Sequence, residues 1–108
     1  MIDQHVLAYD ELEQLVEEWA EEKGILSRAT PMAQAHKTLE ESLELAEAIR
    51  KNDKPEIEDA LGDTLVTLIV GAKMQGVDLT ECLLKAYDVI SKREGRMIGG
   101  QFVKNTNT

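Results

Sequence analysis

The segment PEIEDALGDTLVTLIVGAKM, residues 55–74, constrains the fold more than any other part of the chain. Leu61, Leu65, Leu68 and Ala72 share one helical face, and Val66, Val70 and Met74 line the opposite one. A helix apolar nearly all round is expected to be buried. Its longest apolar run, LVTLIVGA, is far too short to span a bilayer. The rest of the chain must therefore cover this helix, and it supplies further helices to do so.

Four helical segments are expected. The first runs from about Asp3 to Lys23, with Leu12, Leu15, Val16, Trp19 and Ala20 at helical spacing and Gly24 as a stop. ILSRATP is the connector. Thr30 caps the second helix, with Pro31 in its first turn where a missing N–H costs nothing. That helix reaches about Arg50 and ends in KNDK. Asp53 and Glu56 suit a capping box for the third helix, which stops at Gly76. Asp78 and Glu81 open a fourth, to about Arg93. The tail, with its three glycines, reads as a turn or short extended arm with a frayed end. The expected fold is all-α: a single domain over residues 1–108 forming an oligomeric four-helix bundle, with about 95–108 as the arm.

Charge narrows the partners. Twelve basic against twenty-one acidic residues give a net charge of −9, which argues against a nucleic-acid polymer. Direct capture of a phosphate is also disfavoured unless a metal ion intervenes. Cys82 is the sole cysteine, so no intrachain disulfide forms and a reducing cytoplasm fits. The acidic residues in MIDQHVLAYDE, with no basic region, do not read as a signal peptide. No membrane association is expected. A chain of 108 residues buries a modest core alone, so a long apolar helix points to a homodimer or homotetramer.

Within KTLEESLELAEAIRK, residues 37–51, four carboxylates fall within eight residues. With Glu41 set at zero, Leu45 lies at roughly 40° and Ala48 at roughly 340°, so Glu41 sits inside an apolar arc. Glu44, at roughly 300°, is at its edge, while Glu40 and Glu47, near 250°, face the polar side. On the next helix Glu56, Asp59 and Asp63 form a row that runs into an apolar stripe. Carboxylates placed there are costly unless paired or neutralised. Lys73 is the only basic residue near that side. A divalent cation shared between the two helices resolves the conflict at low cost. Hard oxygen ligands suit Mg²⁺ or Mn²⁺, and no Cys/His cluster is present for zinc.

Blander readings stand beside this one. Glu-x-x-Glu is common on surface helices, and His5 and His36 lack the Glu-x-x-His spacing of di-iron bundles. Trp19 is more often a core or interface residue than a stacking platform. Lys92, Arg93 and Arg96 suit a helix C-terminus as dipole-compensating charges.

Together these residues resemble the MazG-like, all-α nucleoside triphosphate pyrophosphohydrolases. LEESLELAEAI is similar to the family's Glu-x-x-Glu half, and EDALGDTLVTLI to its Glu-x-x-Asp half, with Asp63 in the Asp position. WAEEKGILSRATPMAQAHKTLEE and CLLKAYDVISKREGRMIGGQFVK extend the likeness to most of the chain. One departure is plain: the family's Glu falls at Ala60. Asp59, at i−4 from Asp63, is expected to take its place, with Glu56 as second choice.

The resemblance implies hydrolysis of a (deoxy)nucleoside triphosphate between its α- and β-phosphates, with Mg²⁺ (or Mn²⁺) as cofactor. Glu41, Glu44, Asp59, Asp63 and Glu56 are the candidate ligands. Glu41 or Glu44 would orient or deprotonate the attacking water. Glu40 is a neighbour of the ligands Glu41 and Glu44; Lys37 is placed to reach a phosphate, Gln34 is placed to read a base edge, and Trp19 is a candidate substrate contact. Lys92, Arg93, Arg96 and Lys104 are candidates to grip the pyrophosphate. Competing readings are a non-catalytic helical scaffold and a phosphoribosyl-ATP pyrophosphohydrolase-like enzyme. The depth of Asp63 is expected to separate enzyme from scaffold.

Overall fold

The computed structural model describes residues 7–105 and is mostly helical. Its elements are α1 (Tyr9–Glu22), α2 (Ile25–Arg28), α3 (Pro31–Arg50), α4 (Lys54–Gln75), α5 (Leu79–Ile90), β1 (Gly95–Ile98) and β2 (Gln101–Lys104). Five helices and a hairpin thus stand where four helices and an arm are expected. The chain divides into two compact units, Met1–Val77 and Asp78–Thr108.

In the first unit, α3 packs against α4, and α4 also meets α1 and α2. The expected start of the first helix at Asp3 lies outside the described residues. Among those described, α1 begins after Ala8. Gly24, at φ 77°, reverses the chain in a conformation that L side chains resist. The connector then closes one helical turn, α2, with Ser27 Oγ donating to the Gly24 carbonyl at 3.3 Å.

Capping follows the sequence. Thr30 accepts from the Ala33 N–H at 3.1 Å with Pro31 opening α3, and Asp53 accepts from the Glu56 N–H at 3.3 Å to start α4. Between them the chain makes a Schellman turn. The Asp53 N–H reaches the Ala48 carbonyl at 3.1 Å, and the Asn52 N–H reaches that of Ile49 at 3.0 Å. Asn52 takes the left-handed position, φ 55°. So short a connection lays α3 and α4 antiparallel.

The buried apolar residues are Ala20, Ala48, Ala60, Ile69 and Val70, with Gln34 and Thr67 as the buried polar ones. Most are small, which lets α3 and α4 approach closely. The all-round burial expected of α4 is not met within one chain. Leu61, Leu65 and Leu68 are 54%, 39% and 44% exposed, because α1–α3 cover only the other side of the helix.

In the second unit, Asp78 caps α5 by accepting from Thr80 N–H at 2.9 Å and Glu81 N–H at 3.4 Å. The helix ends at Ile90, short of Arg93. The tail is an antiparallel hairpin that pairs Gly95 with Lys104, Arg96 with Val103, Met97 with Phe102 and Ile98 with Gln101. Gly99 and Gly100, at φ 59° and 82°, supply the two positive φ angles that a two-residue hairpin turn of type I′ requires. None of the helices among the described residues is long and apolar enough to cross a membrane.

Candidate functional site

Two cavities open beside the α3–α4 contact. One, of about 380 Å³, is lined by Glu44, Glu47, Lys51, Glu56, Asp59, Ala60 and Asp63. The other, of about 280 Å³, is lined by Trp19, Ile25, Gln34, Lys37, Glu41, Asp63, Val66, Thr67 and Val70. The first is acidic and the second largely apolar. Asp63 belongs to both, so the two halves of the candidate site meet at that residue.

Helical spacing explains the arrangement. Asp59, Ala60 and Asp63 turn one side of α4 toward α3, and Glu44 and Glu47 answer from the C-terminal half of α3. Ala60, where the resemblance expects a Glu, is buried in this wall with Asp59 beside it on the same cavity. Asp63 is exposed rather than deep. Its neighbours Ala60 and Thr67 are buried, but its own carboxylate opens to the cleft, so depth does not separate enzyme from scaffold.

Glu41 carries the electrostatic strain. It is half-buried, and its Oε2 is cut off from solvent with no hydrogen-bond partner. Its pKa is raised, first by the Glu44 carboxyl one turn on, then by burial, then by the charges of Glu44 and Asp63; Lys37 opposes the shift. The contact with Glu44 is a hydrogen bond only when one of the two carboxyls holds a proton. When both are ionised it is a repulsion between crowded charges.

A different layer holds the helices together. Gln34 Nε2 donates to the Thr67 carbonyl at 3.1 Å. The Thr38 hydroxyl donates to Thr67 Oγ1 at 2.9 Å, and Thr67 in turn donates to the Thr64 carbonyl at 2.6 Å. This polar clamp lies one turn from Glu41 on α3 and one turn from Asp63 on α4.

The remaining candidates divide by location. Lys37 pairs with Glu40 at 3.4 Å, and both are exposed. Glu47, expected on the solvent side, is exposed and gripped by Arg50 Nε at 2.9 Å and again by its Nη2, which lowers its pKa. His36 is exposed. His5 lies outside the described residues. Lys92, Arg93, Arg96 and Lys104 belong to the second unit, where Lys92 pairs with Asp88 at 3.2 Å. Lys51 and Ile25 were not singled out by the sequence. Lys51 sits just past the end of α3, where a lysine reads as ordinary dipole compensation.

Among the described residues no three acidic, histidine or cysteine side chains converge as a finished metal cage. The carboxylates ring the cleft instead. The donor chemistry fits a hard divalent cation all the same: every acid is an oxygen ligand, and Glu41 Oε2 lacks any partner.

An acid-lined cleft between two antiparallel helices, beside a small and largely apolar cavity, is what α3 and α4 build together in this helical protein. The chain belongs to the MazG nucleotide pyrophosphohydrolase domain family, whose model matches residues 29–97 and so covers both acid-bearing helices. It is also 35% identical over 71 residues to an uncharacterized 18.2 kDa protein in the rep-hol intergenic region of Haemophilus phage HP1 (strain HP1c1). That match takes in 63% of this chain and 44% of the relative, so the likeness spans less than half of the relative's length. No solved structure matches the chain.

Proposed function

We propose that the chain hydrolyses (deoxy)nucleoside triphosphates to the monophosphate and pyrophosphate in a reaction that depends on Mg²⁺ or Mn²⁺. Family membership supports the reaction class. The observation that carries the site is the partnerless, solvent-screened Oε2 of Glu41, crowded by Glu44 and facing Asp63. A scaffold gains nothing from that crowding. A cation site does, because the repulsion is relieved on binding.

Glu41, Glu44, Asp59 and Asp63 would hold the cation, with Glu56 at the rim of the same cavity. When bound, the cation supplies charge neutralisation at phosphate oxygens and acidification of water. The chain's own part is positional. The Thr38–Thr67 and Gln34–Thr67 bonds keep α3 and α4 in register, so that carboxylates from both helices face one cleft. Glu41 or Glu44 takes the proton of the attacking water. The water oxygen forms a bond to the α-phosphorus, the bond to the bridging oxygen breaks, and pyrophosphate departs with the electron pair.

The apolar cavity suits the nucleoside. Trp19, Ile25, Val66 and Val70 offer apolar walls. Gln34 uses one amide hydrogen on Thr67 and keeps a carbonyl oxygen and a second N–H for a base edge. Lys37 is placed beside Glu41 for a phosphate. Lys92, Arg93, Arg96 and Lys104 remain candidates for the pyrophosphate. The exposed row Leu61, Leu65 and Leu68 supports a homodimer or homotetramer, since an apolar helix face of this kind is normally covered.

The test is pyrophosphate release from a panel of ribo- and deoxyribonucleoside triphosphates, with and without Mg²⁺. Release that needs the cation and is lost in Asp63→Asn supports the reading. No release from any nucleotide overturns it.

A further inference from the structure

Lys51 is the one basic residue among the seven that line the acidic cavity. The Lys and Arg side chains of α3 itself are engaged: Arg50 is locked onto Glu47, and Lys37 pairs with Glu40. Among the described residues the Lys51 ammonium makes no hydrogen bond and no ion pair. It acts on Glu47 only through space. Its backbone, in contrast, is held. Lys51 is the helical C-cap of α3, at φ −80° and ψ −9°, and the Schellman turn through Asn52 and Asp53 closes behind it. A free cation is thus rooted at a fixed point where the acidic cavity meets the α3–α4 turn.

We infer that Lys51 binds the terminal phosphate of the substrate's polyphosphate chain, which fixes the direction in which the nucleotide lies. This rests on the hydrolase reading above. The two cavities share Asp63, and the apolar one, with Trp19 and Gln34, lies toward the start of α3. With the nucleoside there, the phosphates cross Asp63 and run toward the α3–α4 turn. Glu41, Glu44, Asp59 and Asp63 would hold the cation, which would supply the charge neutralisation for those acids and the inner phosphates. The outer phosphate, which bears the most charge, then meets Lys51. An ammonium suits this task, being a compact point charge on a flexible stem.

The full chain is compared with Lys51→Ala and Lys51→Arg, using a triphosphate that the parent hydrolyses. The residue is exposed, so both variants should melt like the parent. Lys51→Ala is expected to raise KM and the inhibition constant of added pyrophosphate about tenfold, the size of one charge-assisted contact. Inhibition by the nucleoside monophosphate and kcat should change less than about threefold, and Lys51→Arg should recover most of the loss. Equal weakening of both products would reduce Lys51 to a general charge effect and overturn the assignment, as would no change in either. A parent that releases no pyrophosphate overturns the hydrolase reading itself, an outcome separate from these.

Discussion

Gln34 on α3 donates its side-chain N–H to the main-chain carbonyl of Thr67 on α4 at 3.1 Å, with both residues buried. A residue expected to read the substrate is therefore also a cross-helix clamp. Gln34→Ala removes the bond and leaves space beside Gly71, where an added Cβ would lie 3.7 Å from Gln34 Cγ. The expected cost is about 1–3 kcal/mol, read as a lower midpoint in urea unfolding. A midpoint equal to the parent's would mean that the clamp contributes nothing.

Arg50 holds Glu47 in a two-pronged contact and, with Lys51, depresses its pKa. A carboxylate lowered in the folded state adds stability above its unfolded pKa and loses it as pH falls through the folded value. The excess stability of the parent over Arg50→Gln should be present at neutral pH and be lost as pH falls through the lowered Glu47 pKa. Because the pair is exposed, the difference is small and shrinks with salt. Carboxyl NMR titration reads it directly: the Glu47 midpoint should move upward in Arg50→Gln.

Gly95 sits beneath the Phe102 ring. A Cβ there would stand 2.6 Å from Phe102 Cζ and collide with the Val103 carbonyl. Gly95→Ala should unpair β1 from β2, seen as lost protection of hairpin amides, while the amides of α3 and α4 keep theirs. Retained hairpin protection would contradict this packing.

Glu41→Gln removes one charge from a crowded group. The metal-free variant should melt above the parent, because the charge repelled by Glu44 and Asp63 is gone. Added Mg²⁺ should stabilise the parent markedly and the variant little. A variant less stable than the parent without metal would contradict the account of Glu41 as a strained carboxylate.

Much of this was legible in the sequence because helices announce their ends and faces locally. Thr30, Asp53, Asp78 and Gly76 sit where the caps were expected, and the 100° step correctly turned Glu41 inward and Glu40 outward. The hairpin was missed although its signal was present. Gly99–Gly100 between RMI and QFV is a two-residue turn between short strands, whereas the expectation goes no further than a turn or short extended arm with a frayed end. Burial failed for a different reason. Apolar periodicity says that Leu61, Leu65 and Leu68 need cover but not which chain provides it. Lys51 escaped notice because its role depends on the turn that sets it beside the α4 carboxylates, a relation between segments rather than within one.

The central claim is cleavage between the α- and β-phosphates in the α3–α4 cleft. Phosphorus NMR of the parent with a hydrolysable triphosphate and Mg²⁺ tests it in one measurement. The account predicts monophosphate and pyrophosphate appearing in equal amounts, with neither formed by Asp63→Asn. Nucleoside diphosphate with orthophosphate, or a triphosphate left intact by the parent, would contradict it.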